Sequence, residues 1–412
     1  MQQLAQWLVR HLNDPELIIW LAQQGGQLHD NLSRLAEEKL DYLARLEDEG
    51  KTIELDEIRA HAPNAIPEPS KRALWRLLLT GRVRSLWNVP DLNRWLKRLQ
   101  RDGLTATLRL ELRELLSPRV KLRRRLFPWR GEDKDAEEQS YVDSELVLAS
   151  GHARSSLRSL VHKNEHWQAA LPTFLHDFQQ LLQDALDLLR ELGKADDSDD
   201  RSHWNLPSIS PHWQNRGFSD WATLIELLRD AWLAVRGHDP PRATRIARDW
   251  FDLPYPTFKR LALFAAHHDD CIAPEQWVEW VTADDAWWLW SPVTKREMMR
   301  LLVLQGRHLT PQTQNRLEAA ILNGPPRKMY RDDLTVGRWE EIVERSVWLC
   351  LSKLRLSGAS LGAVAEKRLA HLSTAHPEWQ LAADERDEFS SWMIGTGDPG
   401  YEKSLHNNID VG

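Results

Sequence analysis

Apolar residues in this chain recur at helical spacing between clear start and stop signals, and that pairing restricts the fold more than any other feature. Trp221, Leu224, Ile225, Leu228, Ala231, Trp232 and Val235 form one helical stripe, with Thr223, Glu226, Arg229, Asp230 and Arg236 on the other side. Gly237 and Asp239-Pro240-Pro241 stop that helix. Asp14-Pro15 opens a segment that Gly25-Gly26 closes, Ser291-Pro292 opens one ended by Gly306, and Thr310-Pro311 opens one ended by Gly324. In each, a side-chain oxygen is placed to accept an orphan N–H, proline suits the first helical position, and glycine can take the left-handed exit. The same grammar spans 4–12, 33–46, 72–79, 92–99, 171–192, 255–266 and 340–354. Alternating β-branched runs bounded by hairpin turns are sparse. The expected fold class is all-α, an irregular helical-repeat, solenoid-like array of many short amphipathic helices without a strict sequence period.

Composition narrows the function classes. The 21 tryptophans outnumber the 5 tyrosines and 8 phenylalanines together, and an indole brings large apolar area plus one N–H that needs a partner, which suits stapling helices together. The two cysteines, Cys271 and Cys350, supply neither a disulfide framework nor a four-ligand zinc site alone. No apolar run reaches about 18 residues, so no membrane partner is expected, and Met1 to Arg10 is amphipathic rather than a signal-peptide core. These readings point to the cytoplasm. The net charge of −7 gives no global attraction to nucleic acid. Charge is uneven, however: residues 71–130 hold seventeen basic and four acidic side chains, followed by acidic runs at 132–138 and 196–200 that would mask the basic face or serve as solvated linkers. Two domains are expected, 1–135 with the basic 71–130 segment, and 136–412, a Trp-rich array with a loop corner at 195–218.

Motifs for chemistry are few. Gly395-Thr396-Gly397-Asp398-Pro399-Gly400 spells G-x-G-x-x-G but lacks the strand before it and the helix after it that a dinucleotide site requires, so it is a turn. No phosphate-loop motif occurs, no nucleophile is accompanied by an oriented base, and no cofactor is expected. The His267-His268-Asp269-Asp270-Cys271 cluster offers His268 and Asp269 as ligands for a metal-dependent phosphohydrolase of the all-helical HD type. Such a site needs a further distant His and Asp on the same ion. Trp287-Trp288-Leu289-Trp290 could stack bases or sugars, or lock neighbouring helices.

Two segments are candidate binding surfaces. Arg119, Lys121, Arg123, Arg124, Arg125 and Arg130, with Phe127 and Trp129 interleaved, combine the basic and aromatic residues of a nucleic-acid footprint; they equally suit an acidic neighbouring helix or subunit. The stretch from His203 to Phe218 places Trp204, His212 and Trp213 in a long loop rich in aromatics, amides and prolines, of the kind that builds an interface.

That stretch, from Asp200-Arg201-Ser202-His203-Trp204 through Pro207-Ser208-Ile209 and Pro211-His212-Trp213-Gln214-Asn215 to Trp221 and Trp232, resembles a segment of large bacterial anti-phage defence proteins. Tyr255 to Ala266 and Leu317 to Pro326 are similar in kind. The defence-associated sirtuins, with the related STAND-type sensors, are the group it looks like, over about residues 140–400. The resemblance implies a helical sensor region that recognises a phage protein and thereby releases an effector. The effector's glycine-rich and catalytic motifs are missing here. A non-catalytic scaffold is therefore expected, with a phage protein, an effector subunit or a second copy of the chain as partner.

Overall fold

Asp14 shows how directly the cap signals work. Its carboxylate accepts from the N–H groups of Glu16 and Leu17 at the start of α2 (Pro15–Gln23). Thr310 does the same for α17 (Pro311–Asn323) through the Thr313 N–H, and Gly324 leaves that helix at φ 72°. The computed structural model describes residues 2–85, 91–124, 142–151, 153–161, 164–215, 219–268 and 271–389. The described residues include nineteen α-helices and one two-stranded sheet, so the fold is mostly helical. No described helix is long and apolar enough to cross a membrane.

Contacts divide the chain into two units, 1–195 with 219–224, and 196–218 with 225–412. The expected divide at 135/136 falls inside the first unit. The reason is a sheet that strand patterning did not reveal. Strand β1 (Pro118–Arg124) pairs antiparallel with β2 (Val142–Leu148), from Pro118 opposite Leu148 to Arg124 opposite Val142, so residues on both sides of the expected divide share one sheet. Only Val120 and Leu122 mark the inner face of β1, and basic residues fill the outer one, which leaves little of the usual apolar alternation to read.

The first unit holds α1 (Gln2–Leu8), α2, α3 (Asp30–Asp48), α4 (Thr52–His61), α5 (Pro69–Leu79), α6 (Leu92–Asp102), α7 (Ala106–Leu115), the sheet, α8 (Ala153–Val161) and α9 (Glu165–Glu191). Buried indoles anchor its core. Trp75 donates to the Leu12 carbonyl at 2.6 Å and Trp95 to the Leu108 carbonyl at 2.7 Å, while Trp95 meets Trp167 edge-on. Helix α9 begins six residues before the expected Leu171, under an Asn164 cap that accepts from the Trp167 N–H. Pro172 sits inside it. A proline there costs about 3 kcal/mol, which burial of Trp167, Ala170, Leu171, Phe174 and Leu175 offsets.

The second unit contains α10 (Ser202–Asn205), α11 (Thr223–His238, whose first two residues belong to the first unit), α12 (Pro240–Asp252), α13 (Pro256–Ala266), α14 (Pro274–Thr282), α15 (Trp287–Trp290), α16 (Lys295–Gln305), α17, α18 (Val336–Leu356) and α19 (Ala363–Ala375). The α11 stripe is buried as expected, but Thr223 and Arg229 from the supposed outer side are buried too. Helix α16 starts at Lys295 rather than beside Pro292. Ser291 and Thr294 instead close a turn after α15, with the Ser291 hydroxyl accepting from the Val293 N–H and the Thr294 hydroxyl donating to the Trp288 carbonyl. Gly306 is not a left-handed exit: its φ is −55°, and a Cβ would lie 2.6 Å from Ser357 Oγ, so the residue is small because α18 comes close. Helix α13 packs on α16, and α14 on α17, skipping the intervening elements. A solenoid stacks each repeat on its neighbours alone, so the repeat arrangement stays an expectation.

Candidate recognition site

The acidic run at 196–200 is exposed at Asp196 and Asp197 but ends in the buried Asp200. The Asp196 carboxylate accepts from the Ser198 and Asp199 N–H groups, and Asp199 accepts from the Arg201 N–H. Asp200 is fully buried. One of its oxygens accepts from the Ser202 N–H, and the other accepts from both the N–H and the hydroxyl of Thr257 at 2.6 Å, satisfying an orphan donor at the start of α13. Arg201 takes a left-handed backbone at φ 58°, which turns the chain into α10.

Beyond α10 the loop wraps around a buried ion pair. Arg260 of α13 and Glu297 of α16 are 0% and 1% exposed and meet at 3.0 Å. Arg260 also donates to the Ser202 hydroxyl and to the carbonyls of Leu206 and Pro207. Glu297 accepts from the Ile209 N–H at 2.8 Å, and Arg229 of α11 donates to the Ile209 carbonyl. Asn215 closes the 208–215 loop: its side-chain carbonyl accepts from the Ser208 N–H, and its amide donates to the Ser208 and Ser210 carbonyls. The backbone polar groups of a buried loop must be satisfied, and here three charged side chains and one amide satisfy them. Burial, and then the nearby Arg260 charge, pushes His203 down to about 3, so its imidazole is neutral.

A second group of ion pairs holds 384–389 to the same corner. Glu388 pairs with Arg296 of α16 and with Lys353 of α18, Glu385 pairs with Arg296 and Arg300, and Lys295 donates to the Phe389 carbonyl. Burial works against the Glu385 charge, but the hydrogen bond and charge of Arg296 outweigh it and hold its pKa below the usual range. The Phe389 ring lies 4.7 Å from that of His212. Burial, with Arg296 adding to it, lowers His212. Its Nδ1 accepts from the Gln214 N–H.

On this pinned framework Trp204 and Trp213 are 45% and 55% exposed. The sequence-predicted trio thus shares one corner: Trp204 and Trp213 at the surface, and His212 between the loop and Phe389. Arg260, Glu297 and Arg296, which fix the corner, gave no loop signal in the sequence because they lie on helices 45 or more residues beyond Asn215.

The other candidates separate. Arg119, Lys121, Arg123 and Arg124 lie on β1, while Arg125 and Arg130 fall outside the described residues, as do Asp269 and residues 395–400. The His268 ring packs 5.6 Å from that of Trp232 and 5.4 Å from that of Phe264. The buried His267, pushed down to about 3 chiefly by burial, hydrogen-bonds the Glu297 carbonyl through Nε2. Among the described residues no three His, Cys, Asp or Glu side chains converge as a metal site would require. Trp287 and Trp288 lie beneath Lys328 and Lys259, respectively. Comparison of the chain with protein-family models, with curated proteins and with solved structures finds no match.

Proposed function

We propose that this chain is a non-catalytic helical recognition scaffold of the cytoplasm, the sensing part of a bacterial anti-phage defence system. Its 200–215 corner recognises a protein ligand and biases an effector domain or subunit. The supporting observation is the contrast within that corner. Its polar groups are turned inward onto Asp200, Arg260, Glu297 and Asn215, while two indoles stand at the surface. A reaction centre would aim polar groups at a substrate. A rigid loop carrying exposed tryptophans suits protein recognition, because indoles dominate binding energy when a partner desolvates them.

The test starts from phage challenge of bacteria carrying this gene with its neighbours. Mutations in escaping phages identify the ligand, and calorimetry then measures its affinity for the purified chain. Trp204→Ala with Trp213→Ala is expected to weaken binding by about 100-fold or more, at about 2 kcal/mol for each anchor, with the urea midpoint unchanged. Unaltered affinity in the double variant removes the corner from the reading. Stoichiometric manganese, iron or zinc in the purified chain, lost on His268→Ala, would replace the scaffold with the phosphohydrolase alternative.

A further inference from the structure

The positive excess of residues 71–130 is largely neutralised within the first unit. Arg72 pairs with Glu47, Arg76 with Glu191, Arg98 with Glu111, Arg109 and Arg113 with Asp177, Arg123 with Asp143 and Glu145, and Arg124 with Glu16. Arg82, Arg84, Arg119 and Lys121 have no ion pair among the described residues, and these four lie together.

The backbone explains their grouping. Val83 bridges Val120 in parallel: the Arg84 N–H donates to the Val120 carbonyl at 2.9 Å, and the Val120 N–H donates to the Arg82 carbonyl at 2.8 Å. Both valines are buried, at 4% and 0% exposed. Strand alternation therefore sends Arg82, Arg84, Arg119 and Lys121, all half-buried, to the opposite face. Glu145, facing Lys121 across the hairpin, is engaged by Arg123. Burial, and next the Arg82 charge, lowers Arg119, with Glu114 offsetting part of this, so like charges are held close at a cost.

We propose that this face binds the phosphate backbone of a nucleic acid, with Arg82, Arg84, Arg119 and Lys121 as its contacts. Same-face residues lie about 7 Å apart along each segment, with about 5 Å between segments, a grid that spans successive phosphates of one strand. None of the four positions is apolar, and Val147, which faces Arg119 on the same side of the sheet, is buried, so it offers no exposed anchor of the kind a protein partner would need at the centre of its interface. Contacts to phosphate carry no base information, so the proposal implies recognition independent of sequence.

Fluorescence anisotropy with a labelled 20-base-pair duplex of arbitrary sequence tests the assignment on the full chain. Four phosphate contacts predict a slope of log affinity against log salt of about −3 to −4. Arg84→Gln with Lys121→Gln is expected to weaken binding about tenfold at low salt and to flatten the slope by about 2, while Lys121→Arg preserves binding. Circular dichroism checks that each variant is folded. No binding at low salt, a flat slope, or variants that bind like the parent would overturn the proposal. So would displacement of the duplex by polyglutamate at equal charge concentration, which would reassign the face to an acidic protein segment. Should the double Gln variant fail to fold, Arg82→Gln alone is expected to flatten the slope by about 1, and an unchanged slope overturns the proposal equally.

Discussion

Arg260 is the residue on which the corner turns. Its guanidinium joins α13 to Glu297 of α16 and to two carbonyls of the loop, all out of water. Arginine suits this task because its planar fork carries five donors and stays charged when buried. Removing one member of a buried pair leaves the other charged and unpartnered, which costs about 3–5 kcal/mol. Arg260→Met should therefore lower unfolding stability by that amount in urea denaturation, and a loss below about 1 kcal/mol would show that the pair is dispensable. The tryptophans follow the same logic with neutral groups: Trp75 and Trp95 are almost wholly buried, and each donates its N–H to a carbonyl. Abundance of indole in the sequence indicated stapling, but which indoles are buried depended on neighbours. Trp204 and Trp213 have the same chemistry as Trp75 and remain exposed.

At the scale of elements, helices with proline or Asp/Thr starts were legible, because caps and first-turn prolines act through local bonds. The two-stranded sheet was not legible. Each strand pairs with a partner 18 to 30 positions away in the sequence, and neither is apolar enough to announce itself. The third, short segment at 82–84 packs against the exit of α2. Gly26, at φ 71°, packs so closely that an added Cβ would lie 2.7 Å from the Leu78 carbonyl oxygen and 2.9 Å from Val83 Cγ2. Gly26→Ala is thus expected to destabilise the chain by about 1–3 kcal/mol through backbone strain and overpacking. It should also displace Val83 and with it Arg82 and Arg84. Thermal unfolding measures the first effect and the duplex titration the second; a variant unchanged in both would show that the segment is not seated by this contact.

The whole chain should feel acid through its buried imidazoles. His203 and His267 hold folded pKa values of about 3 against about 6.5 when unfolded. The unfolded chain takes up two protons near pH 6.5 that the folded chain refuses until about pH 3. Their contribution is therefore complete above pH 6.5 and lost as pH falls, at about 1.4 kcal/mol per unit for each. Asp199 and Glu388, raised by burial, act in the opposite sense at lower pH. His267→Gln retains an N–H for the Glu297 carbonyl without a titrating ring. It is expected to flatten the fall of the urea midpoint between pH 6.5 and 5, and an unchanged slope would mean that His267 does not carry it.

The helical class and most helix starts were determined by the sequence alone, since periodicity and capping act over a few residues. Tertiary structure decided what those elements were for. It placed the unit boundary after residue 195, buried Asp200 as a remote cap, and brought Arg260 and Glu297 beneath a loop far from both in the chain. It also paired most of the described basic side chains of 71–130 with acids and gathered Arg82, Arg84, Arg119 and Lys121, which have no ion pair, on one face of a sheet. Charge and burial are settled by partners distant in sequence, and a local pattern records only that a residue can be charged or apolar, not what it meets.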